Sequence, residues 1–374
     1  MRYIVTGGAG FIGSNLADTL AQNHVVVIID NLATGRRENI EHLLEHPRVT
    51  FIEGSITDLD LLMEIFPGAD GIFHQAAIPS VPRSVKDPLA SNEANVTGTV
   101  SVLVAAKDCG VPAVVAASSS SVYGDTPVLP KHEGMVPNPL SPYAVSKLAD
   151  ECYGKVFADL YGIRTVFLRY FNVFGPRQDP KSEYAAVIPK FVTRLLDGKA
   201  PIIYGDGGQT RDFTFVADVV QANIKAMESD ARGVFNIAGG RRISLNDLAS
   251  ILMEATGTRC EPVYEATRAG DIRDSLADIT RAREAFGYDP QYPVEDAVPG
   301  RGGAPAGGGL VPGAGLKMPS GQPGGSGFEW SPGILNRVPP CQVWSLTPLR
   351  PATMRAGRGG HRSLDDPSHE LSPI

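Results

Sequence analysis

The sequence predicts an α/β fold in which a doubly wound parallel sheet is followed by a smaller C-terminal α/β lobe. Amphipathic helix candidates alternate with apolar runs typical of buried strands, which occur at 2–6, 24–30, 49–53, 70–74, 112–118 and 164–170. After Asn172 the elements become shorter and loops more frequent. This change indicates a second lobe that lies over the carboxyl edge of the sheet.

These patterns divide the chain into three parts. Residues 1–172 are predicted to form the sheet domain, with 212–240 returning to it, and 173–298 to form mainly the second lobe. The last part, 299–374, contains 16 Gly and 12 Pro, a composition typical of low-complexity sequence. Because composition and charge change abruptly where it begins, we expect either a disordered tail or a segment translated from a shifted reading frame.

Composition argues against several kinds of partner. A formal net charge of −7 gives no electrostatic reason to expect nucleic acid or an anionic membrane surface. We see neither an apolar run of membrane-spanning length nor a secretory signal. The cysteines show neither metal-ligand nor disulfide-framework spacing; they are Cys109, Cys152, Cys260 and Cys341. We therefore predict a cytoplasmic protein with no metal, nucleic-acid or membrane partner.

A glycine-rich loop joins the first strand to a helix that is predicted to begin at Phe11. Gly7 permits the sharp turn, and Gly10 has no side chain to keep a pyrophosphate away from the backbone. Gly13 allows the helix to pack closely on the strand. A phosphate can then bind the N–H groups at the helix N-terminus. The loop predicts a Rossmann-type dinucleotide site.

The end of the second strand bears on the choice of dinucleotide. Asp30 lies close to the distance at which an acidic residue binds the adenosine ribose hydroxyls. Its carboxylate would repel a 2′-phosphate, so NAD is favoured over NADP. Arg36 and Arg37 follow and are able in principle to hold that phosphate, which leaves NADP as the alternative.

Tyr143 and Lys147 are four residues apart in a helix whose N-terminus is marked by Ser141 and Pro142. At that spacing both side chains lie on one face, where a lysine ammonium stabilises a tyrosine phenolate. Such a phenolate is a competent general base for a sugar hydroxyl. The serine run 118–121 ends the fifth strand, which is where open α/β sheets bind ligands.

Several motifs in order resemble the extended short-chain dehydrogenase/reductase family over residues 1 to about 295. Within it, the chain is similar to the NAD-dependent nucleotide-sugar 4-epimerases of the UDP-N-acetylhexosamine branch. The motifs are the glycine loop, His74-Gln75-Ala76-Ala77, Ser121-Val122-Tyr123-Gly124, Tyr143 with Lys147, Leu168-Arg169-Tyr170-Phe171-Asn172-Val173-Phe174-Gly175, Thr210-Arg211-Asp212-Phe213 and Gly270-Asp271-Ile272-Arg273.

The resemblance implies a set of site residues. The catalytic residues are Ser119, Tyr143 and Lys147. The NAD-binding residues are Gly7, Gly10, Phe11, Ile12, Gly13, Asp30, Asn31, Gly35, Ser55, Ile56, Gln75, Ala76, Ala77, Asn95, Tyr143, Lys147 and Tyr170. The residues that bind a UDP-sugar substrate are Arg83, Ser119, Asn172, Val187, Tyr204, Arg211, Arg268, Asp271 and Ser275.

The resemblance also implies a reaction. Tyr143 takes the proton of the sugar 4-hydroxyl, with Ser119 relaying or orienting it, while the C4 hydride passes to NAD and returns to the other face of a 4-keto sugar. Related 4,6-dehydratases carry Asp and Glu where this chain has Ser120 and Ser121. Because neither serine ionises near neutral pH, elimination of water is disfavoured and epimerisation is expected.

The position of Ser275 is expected to select the sugar. Relatives restricted to glucose and galactose have a tyrosine there, and a serine leaves room for an acetamido group. The sequence therefore predicts interconversion of UDP-GlcNAc and UDP-GalNAc, with UDP-Glc and UDP-Gal tolerated. Two alternatives stay open: a UDP-glucuronic acid 4-epimerase, which would need a cation near C6 that we cannot place, and a non-catalytic NAD-binding regulator.

Two departures from the family and one shared feature complete the prediction. Ser55-Ile56 stands where relatives have an Asp that contacts adenine, and the Gly/Pro-rich tail replaces the relatives' final helix. As in relatives, helices over 89–108 and 143–161 are expected to form a homodimer bundle. The second has an apolar stripe, for which core packing is the alternative explanation: Val145, Leu148, Cys152, Val156 and Leu160.

Overall fold

A computed structural model describes residues 1–179, 186–267 and 273–298. Its strands are β1 Arg2–Thr6, β2 Val25–Asp30, β3 Val49–Glu53, β4 Gly71–His74, β5 Ala113–Ser119, β6 Arg164–Tyr170, β7 Val173–Phe174, β8 Ile202–Tyr204, β9 Thr210–Arg211, β10 Thr214–Phe215, β11 Gly233–Ile237, β12 Ile243–Ser244 and β13 Val263–Glu265. Its α-helices are α1 Phe11–Ala21, α2 Leu59–Ile65, α3 Val81–Lys86, α4 Pro88–Asn92, α5 Gly98–Asp108, α6 Pro142–Tyr161, α7 Val187–Leu196, α8 Val216–Glu228, α9 Leu245–Thr256, α10 Thr280–Phe286 and α11 Val294–Ala297.

Seven strands form one parallel sheet in the order β3-β2-β1-β4-β5-β6-β11. The order reverses between β1 and β4, which places the topological switch point at the carboxyl ends of these two strands. The predicted Rossmann-type doubly wound sheet is confirmed, and the six predicted strands agree with the observed bounds to within one residue. The seventh strand, Gly233–Ile237, was not among them.

The two faces of the sheet carry separate cores because neighbouring residues in a strand point to opposite sides. On one face, Val5 and Ile28 pack with α1, α8 and α10. On the other, Ile4 and Ile29 pack with α2, α5 and α6. Strand residues on both faces are fully buried, and the central strands are accordingly almost continuous apolar runs.

The second lobe has its own core, built around α7, α9 and the start of α8. The short helix α11 closes this core with Val294 and Ala297, which are both buried. It is held by Asp218 on α8, whose carboxylate oxygens accept hydrogen bonds from the N–H groups of Gln291 (2.8 Å) and Tyr292 (3.2 Å). The last described segment is therefore fastened to the helix that also covers the large sheet.

Helix α6 begins and ends as its sequence predicts. Ser141 is the N-cap and accepts a hydrogen bond from the N–H of Ala144, Pro142 occupies the first turn, and Gly162 closes the helix in the left-handed conformation. Core packing explains only part of its apolar stripe. Leu148 packs against the core, whereas Val145, Val156 and Leu160 are 53%, 47% and 68% exposed. No helix within the described ranges is long and apolar enough to cross a membrane.

Candidate active site

A cleft of about 590 Å³ opens at the switch point of the sheet. Its lining includes Arg83 and twelve of the predicted cofactor-binding residues: Gly7, Gly10, Phe11, Ile12, Gly13, Asp30, Asn31, Ser55, Ile56, Gln75, Ala76 and Ala77. Residues not singled out from the sequence also line it, among them Thr34, Asn39, Ala117 and Arg177.

Two glycines in the loop after β1 are required by its geometry. Gly7 has a φ of +68°, and a Cβ placed there would lie 2.6 Å from the backbone of Ala76. A Cβ at Gly13 would lie 2.2 Å from the carbonyl oxygen of Gly7. Any side chain at either position would open the turn. The loop therefore keeps the N-terminus of α1 against the cleft, where backbone N–H groups bind anions.

Asp30 fastens this loop as well as ending β2. One carboxylate oxygen accepts the N–H of Ala9 at 3.0 Å, and the other accepts the N–H of Leu32 at 2.8 Å. Burial raises the pKa of Asp30, and these two hydrogen bonds act in the opposite direction. Gly35 lies against the carboxylate, since a Cβ there would be 2.7 Å from Oδ2.

The arginines that follow β2 are both engaged within the described chain. Arg36 lines the cleft and forms an ion pair with Asp179 at 2.6 Å. The guanidinium of Arg37 lies over the ring of Phe51, 5.4 Å from its centroid. Each of the two guanidinium groups therefore has another side chain as its partner in this structure.

Tyr143 and Lys147 lie on one face of α6, one turn apart. The N–H of Tyr143 donates to the Ser84 hydroxyl of α3 at 3.0 Å, which ties the first turn of α6 to the segment that carries Arg83. The Lys147 side chain is 2% exposed, and its Nζ lies 3.1 Å from Asp150 Oδ2. Burial lowers the pKa of Lys147, but the charges of Asp150 and Tyr143 outweigh it and raise that pKa above its ordinary value.

Ser119 ends β5, as predicted, and its hydroxyl oxygen accepts two hydrogen bonds from Ser121. One comes from the N–H at 3.2 Å and the other from the hydroxyl at 2.9 Å. A serine oxygen has two acceptor sites, so the proton of Ser119 is left to donate elsewhere.

The buried ion pair of Glu151 and Arg169 is hydrogen-bonded to the first residue of the serine run, Ser118. Glu151 of α6 accepts two hydrogen bonds from Arg169 of β6, at 2.8 and 2.6 Å, and one from the Ser118 hydroxyl. The Arg169 guanidinium in turn lies 4.7 Å from the ring centroid of Tyr123. The Glu151 carboxylate therefore joins β5 and β6 to α6, the helix that carries Tyr143 and Lys147.

Two predicted cofactor residues are hydrogen-bonded to the protein itself. The Tyr170 hydroxyl bonds Gln75 at 3.1 Å and Asn223 at 2.8 Å, and burial raises its pKa. Asn95 is buried, and its amide bonds Ile78 and Ser146. Neither residue is in the lining of the cleft, and the same holds for Ser119, Tyr143 and Lys147.

The predicted substrate residues are distributed over several elements. Arg83 lines the cleft, and Val187 begins α7. Asn172 has a φ of +36° and donates to the Asp212 carbonyl at 2.8 Å. The others belong to the small sheets: Tyr204 lies in β8, Arg211 lies in β9, and the Ser275 N–H donates to the Thr210 carbonyl at 3.1 Å. Arg268 and Asp271 lie outside the described residues.

Comparison with known proteins agrees with this site. A model of the NAD dependent epimerase/dehydratase family matches residues 3–238. The chain belongs to the NAD-dependent epimerase/dehydratase family. UDP-glucose 4-epimerase of Mycolicibacterium smegmatis is 43% identical over 304 residues, which cover 80% of this chain and 96% of the relative.

Solved structures of this epimerase/dehydratase family are also similar. UDP-N-acetylglucosamine 4-epimerase from Methanobrevibacter ruminantium M1, in complex with UDP-N-acetylmuramic acid, is 43% identical with a TM-score of 0.76, and the match covers 78% of this chain and 93% of that one. UDP-glucuronic acid 4-epimerase from Bacillus cereus, with UDP-glucuronic acid and NAD, is 34% identical with a TM-score of 0.73 and coverages of 80% and 96%.

The residues that line the cleft are suited to bind NAD, the cofactor of this family. The glycine loop leaves backbone N–H groups for a pyrophosphate, and Asp30 stands at the end of β2 where an adenosine ribose is bound in such folds. Among the described residues, no group of three His, Cys, Asp or Glu side chains is arranged to hold a metal ion.

Sequence analysis missed three residues that contact predicted site residues: Ser84, Asp150 and Asn223. A sequence signal exists for Asp150, which lies seven residues after Tyr143 and three after Lys147, on the same helix face. No comparable signal exists for Ser84 or Asn223, because their partners Tyr143 and Tyr170 are 59 and 53 residues away.

Proposed function

We propose that this enzyme is a UDP-sugar 4-epimerase that prefers UDP-GlcNAc and UDP-GalNAc and also accepts UDP-Glc and UDP-Gal. The relatives support the general activity, since the UDP-glucose 4-epimerase of Mycolicibacterium smegmatis and the UDP-N-acetylglucosamine 4-epimerase from Methanobrevibacter ruminantium M1 are both 43% identical to this chain. In this chain the proposal depends chiefly on the arrangement of Tyr143, Lys147 and Ser119, which supplies a base, a cation and a hydroxyl donor.

Each of these side chains has a separate task. NAD, when bound, accepts a hydride from C4 of the sugar and returns it. Tyr143 takes the proton of the 4-hydroxyl and gives it back. The Lys147 ammonium supplies a positive charge on the same helix face, and a positive charge favours the transfer of the proton to and from the phenol oxygen. Ser119 has its acceptor sites occupied by Ser121, so it donates a hydrogen bond to the reacting oxygen and orients it.

Elimination is disfavoured by the residues that follow Ser119. Ser120 and Ser121 stand where an acid and a base would be needed to remove water from the sugar. The Ser121 hydroxyl is in addition committed to Ser119. With no ionisable group at these positions, the elimination of water is not assisted, and the C4 epimer is the expected product.

The activity is tested by incubating the purified full-length protein, loaded with NAD, with UDP-GlcNAc, UDP-glucose and UDP-glucuronate separately. We expect the C4 epimer to accumulate from the first two sugars and not from the third. Tyr143→Phe is the control and should form no epimer. Conversion of UDP-glucuronate alone would favour the uronic acid alternative, and NAD binding without any conversion would favour the regulator.

Ser275 provides the test of sugar preference. We expect Ser275→Tyr to abolish turnover of UDP-GlcNAc while UDP-glucose turnover changes less than about threefold, because a ring at this position removes the space that an acetamido group needs. The measurement is kcat/KM on both sugars. Equal loss on the two substrates would show that Ser275 does not select between them.

We also propose that the protein acts as a homodimer. The exposed face of α6 presents Val145, Tyr153, Val156 and Leu160 to solvent. Contiguous apolar side chains on a helix surface mark an interaction site. A second copy related by two-fold symmetry would cover this face with the same face of its own α6.

A further inference from the structure

Three side chains form a line along the inner face of α6. Tyr143, Lys147 and Asp150 stand at i, i+4 and i+7, a spacing that places successive side chains one above the next. The Lys147 ammonium is the middle member and lies 3.1 Å from the Asp150 carboxylate. Because these two side chains are 2% and 1% exposed, water does little to screen the pair.

Asp150 is the carboxylate that contacts this ammonium. The neighbouring Glu151 lies one turn after Lys147 on the same side of the helix and is hydrogen-bonded to Arg169 and Ser118. Its charge also acts to raise the pKa of Lys147, but less than the charge of Asp150 does. From α5, Thr99 lies against Asp150, and the Thr99 hydroxyl also bonds His74 of β4 at 2.9 Å. His74 is neutral, since burial and then the Lys147 charge lower its pKa to about 3.

One oxygen of this carboxylate, Oδ2, accepts a hydrogen bond from Lys147 at 3.1 Å. The Thr99 hydroxyl of α5 also lies against the carboxylate. Lys147 is therefore the cation on which this buried negative charge acts directly.

We propose that Asp150 is a positioning residue that holds the Lys147 ammonium in the middle of this line and, through its negative charge, limits how strongly the ammonium stabilises the Tyr143 phenolate. The inference rests on the proposed role of Tyr143 as the base. A positive charge favours a nearby phenolate, and a carboxylate bound to the same cation offsets part of that effect.

The protonation behaviour of the pair supports this role. Burial raises the pKa of Asp150 to about 6, although Lys147 acts to lower it. Lys147 keeps its proton throughout this range. As the pH falls through 6, Asp150 becomes neutral and its charge no longer offsets that of the Lys147 ammonium.

The test replaces the charge and keeps the shape. Asp150→Asn retains an amide oxygen for Lys147 but removes the negative charge. In the NAD-bound protein, tyrosinate absorbance is titrated against pH, and the same titration of Tyr143→Phe is subtracted to isolate Tyr143. We expect phenolate to form about one pH unit lower in Asp150→Asn than in the wild type, a tenfold change in the proton equilibrium. The acid limb of kcat/KM should move by the same amount.

A matched control is available on the same helix. Asp159 is also paired with a lysine, Lys155, but the pair is exposed at the surface. Asp159→Asn should leave the phenolate midpoint unchanged. A midpoint in Asp150→Asn equal to that of the wild type, or higher, would overturn the proposal. If Asp150→Asn does not fold, the smaller neutral variant Asp150→Ser must show the same downward shift.

The absorbance titration separates this inference from the proposed function, because it needs no UDP-sugar. A downward shift in a protein that turns over none of the three sugars would support the role of Asp150 and reject the substrate assignment. Normal turnover with no shift would do the reverse.

Discussion

At the residue scale, the hydroxyl oxygen of Ser119 receives both of its hydrogen bonds from Ser121. This arrangement fixes the direction in which the Ser119 proton points. A serine free to rotate would alternate between donating and accepting. In the proposed reaction, Ser119 therefore meets the reacting oxygen already oriented as a donor, and orientation achieved before the reaction is a substantial part of catalysis.

We predict that Ser121→Ala lowers kcat/KM for the preferred UDP-sugar by about five- to tenfold, the effect of losing one neutral hydrogen bond of about 1 kcal/mol. The backbone N–H of residue 121 remains, so activity is not abolished. Ser120→Ala is the matched control and should stay within about twofold of the wild type. Equal effects of the two substitutions in steady-state kinetics would remove the special role of Ser121.

The sequence predicts single residues best where one residue type meets a local requirement. Gly7 and Gly13 stand where a Cβ would strike the backbone, and Ser141 caps α6 where its position indicates. Tyr170 and Asn95 show the limit. Their side chains bond residues on other elements, and such contacts depend on tertiary packing that one-dimensional spacing does not contain.

At the scale of elements, the strands of the large sheet were predictable because both faces are covered and the runs are nearly all apolar. β11 was missed although it is as long as β1, because Asn236 interrupts its apolar run. The Asn236 side chain is satisfied by Tyr123 and Lys131, so the polar residue is tolerated only because of partners more than a hundred positions away.

Asp218, which holds the segment before α11, makes a contribution to stability that depends on pH. Burial raises its pKa from 3.8 to about 6, against the effect of the two N–H groups that it holds. The folded protein therefore keeps this proton more tightly than the unfolded chain. Its contribution to stability is full below pH 3.8 and is lost as the pH rises through 6.

We expect the free energy of unfolding of the wild type to exceed that of Asp218→Ala by an amount that shrinks by roughly 3 kcal/mol between pH 4 and pH 7, as a pKa difference of about two units requires. Urea denaturation of both proteins at each pH gives this difference, and other titrating groups cancel. A gap that widens toward pH 7 would contradict the predicted sign.

At the scale of the whole molecule, one helix faces two ways. The inner side of α6 carries Tyr143, Lys147 and Glu151, and its outer side carries Val156 and Leu160. The proposed dimer would therefore bury the surface directly behind the catalytic side chains. The α6 residues that would form the dimer interface lie within the part of this chain that matches the M. smegmatis relative, and that part is 80% of the chain.

Leu160→Glu is predicted to shift the protein from dimer to monomer, because a charge placed in an apolar interface loses its water without gaining a partner. Sedimentation velocity at micromolar concentration measures the change. Leu196→Glu, at an exposed leucine of α7, is the control and should leave the dimer intact. A wild type that sediments as a monomer would contradict the dimer outright.

The tail, 299–374, is predicted from composition and charge to be either disordered or translated from a shifted reading frame. Its composition differs from the rest of the chain, and the match to the M. smegmatis relative covers 80% of this protein but 96% of that one. The tail lies outside the described residues. The reading-frame hypothesis therefore stays a prediction, and sequencing of the coding region around position 297 tests it.

The double duty of Asp30 bears on how readily this enzyme could change its coenzyme by mutation. The carboxylate that is predicted to discriminate against a phosphorylated ribose also accepts hydrogen bonds from the N–H groups of Ala9 and Leu32. Replacing Asp30 to admit NADP would also remove a hydrogen bond that holds the glycine-rich loop, which is predicted to bind the pyrophosphate of NAD or NADP. A laboratory redesign, or an evolving lineage, therefore has to rebuild both supporting loops before the exchange becomes useful, and this protects the present specificity against drift by single steps.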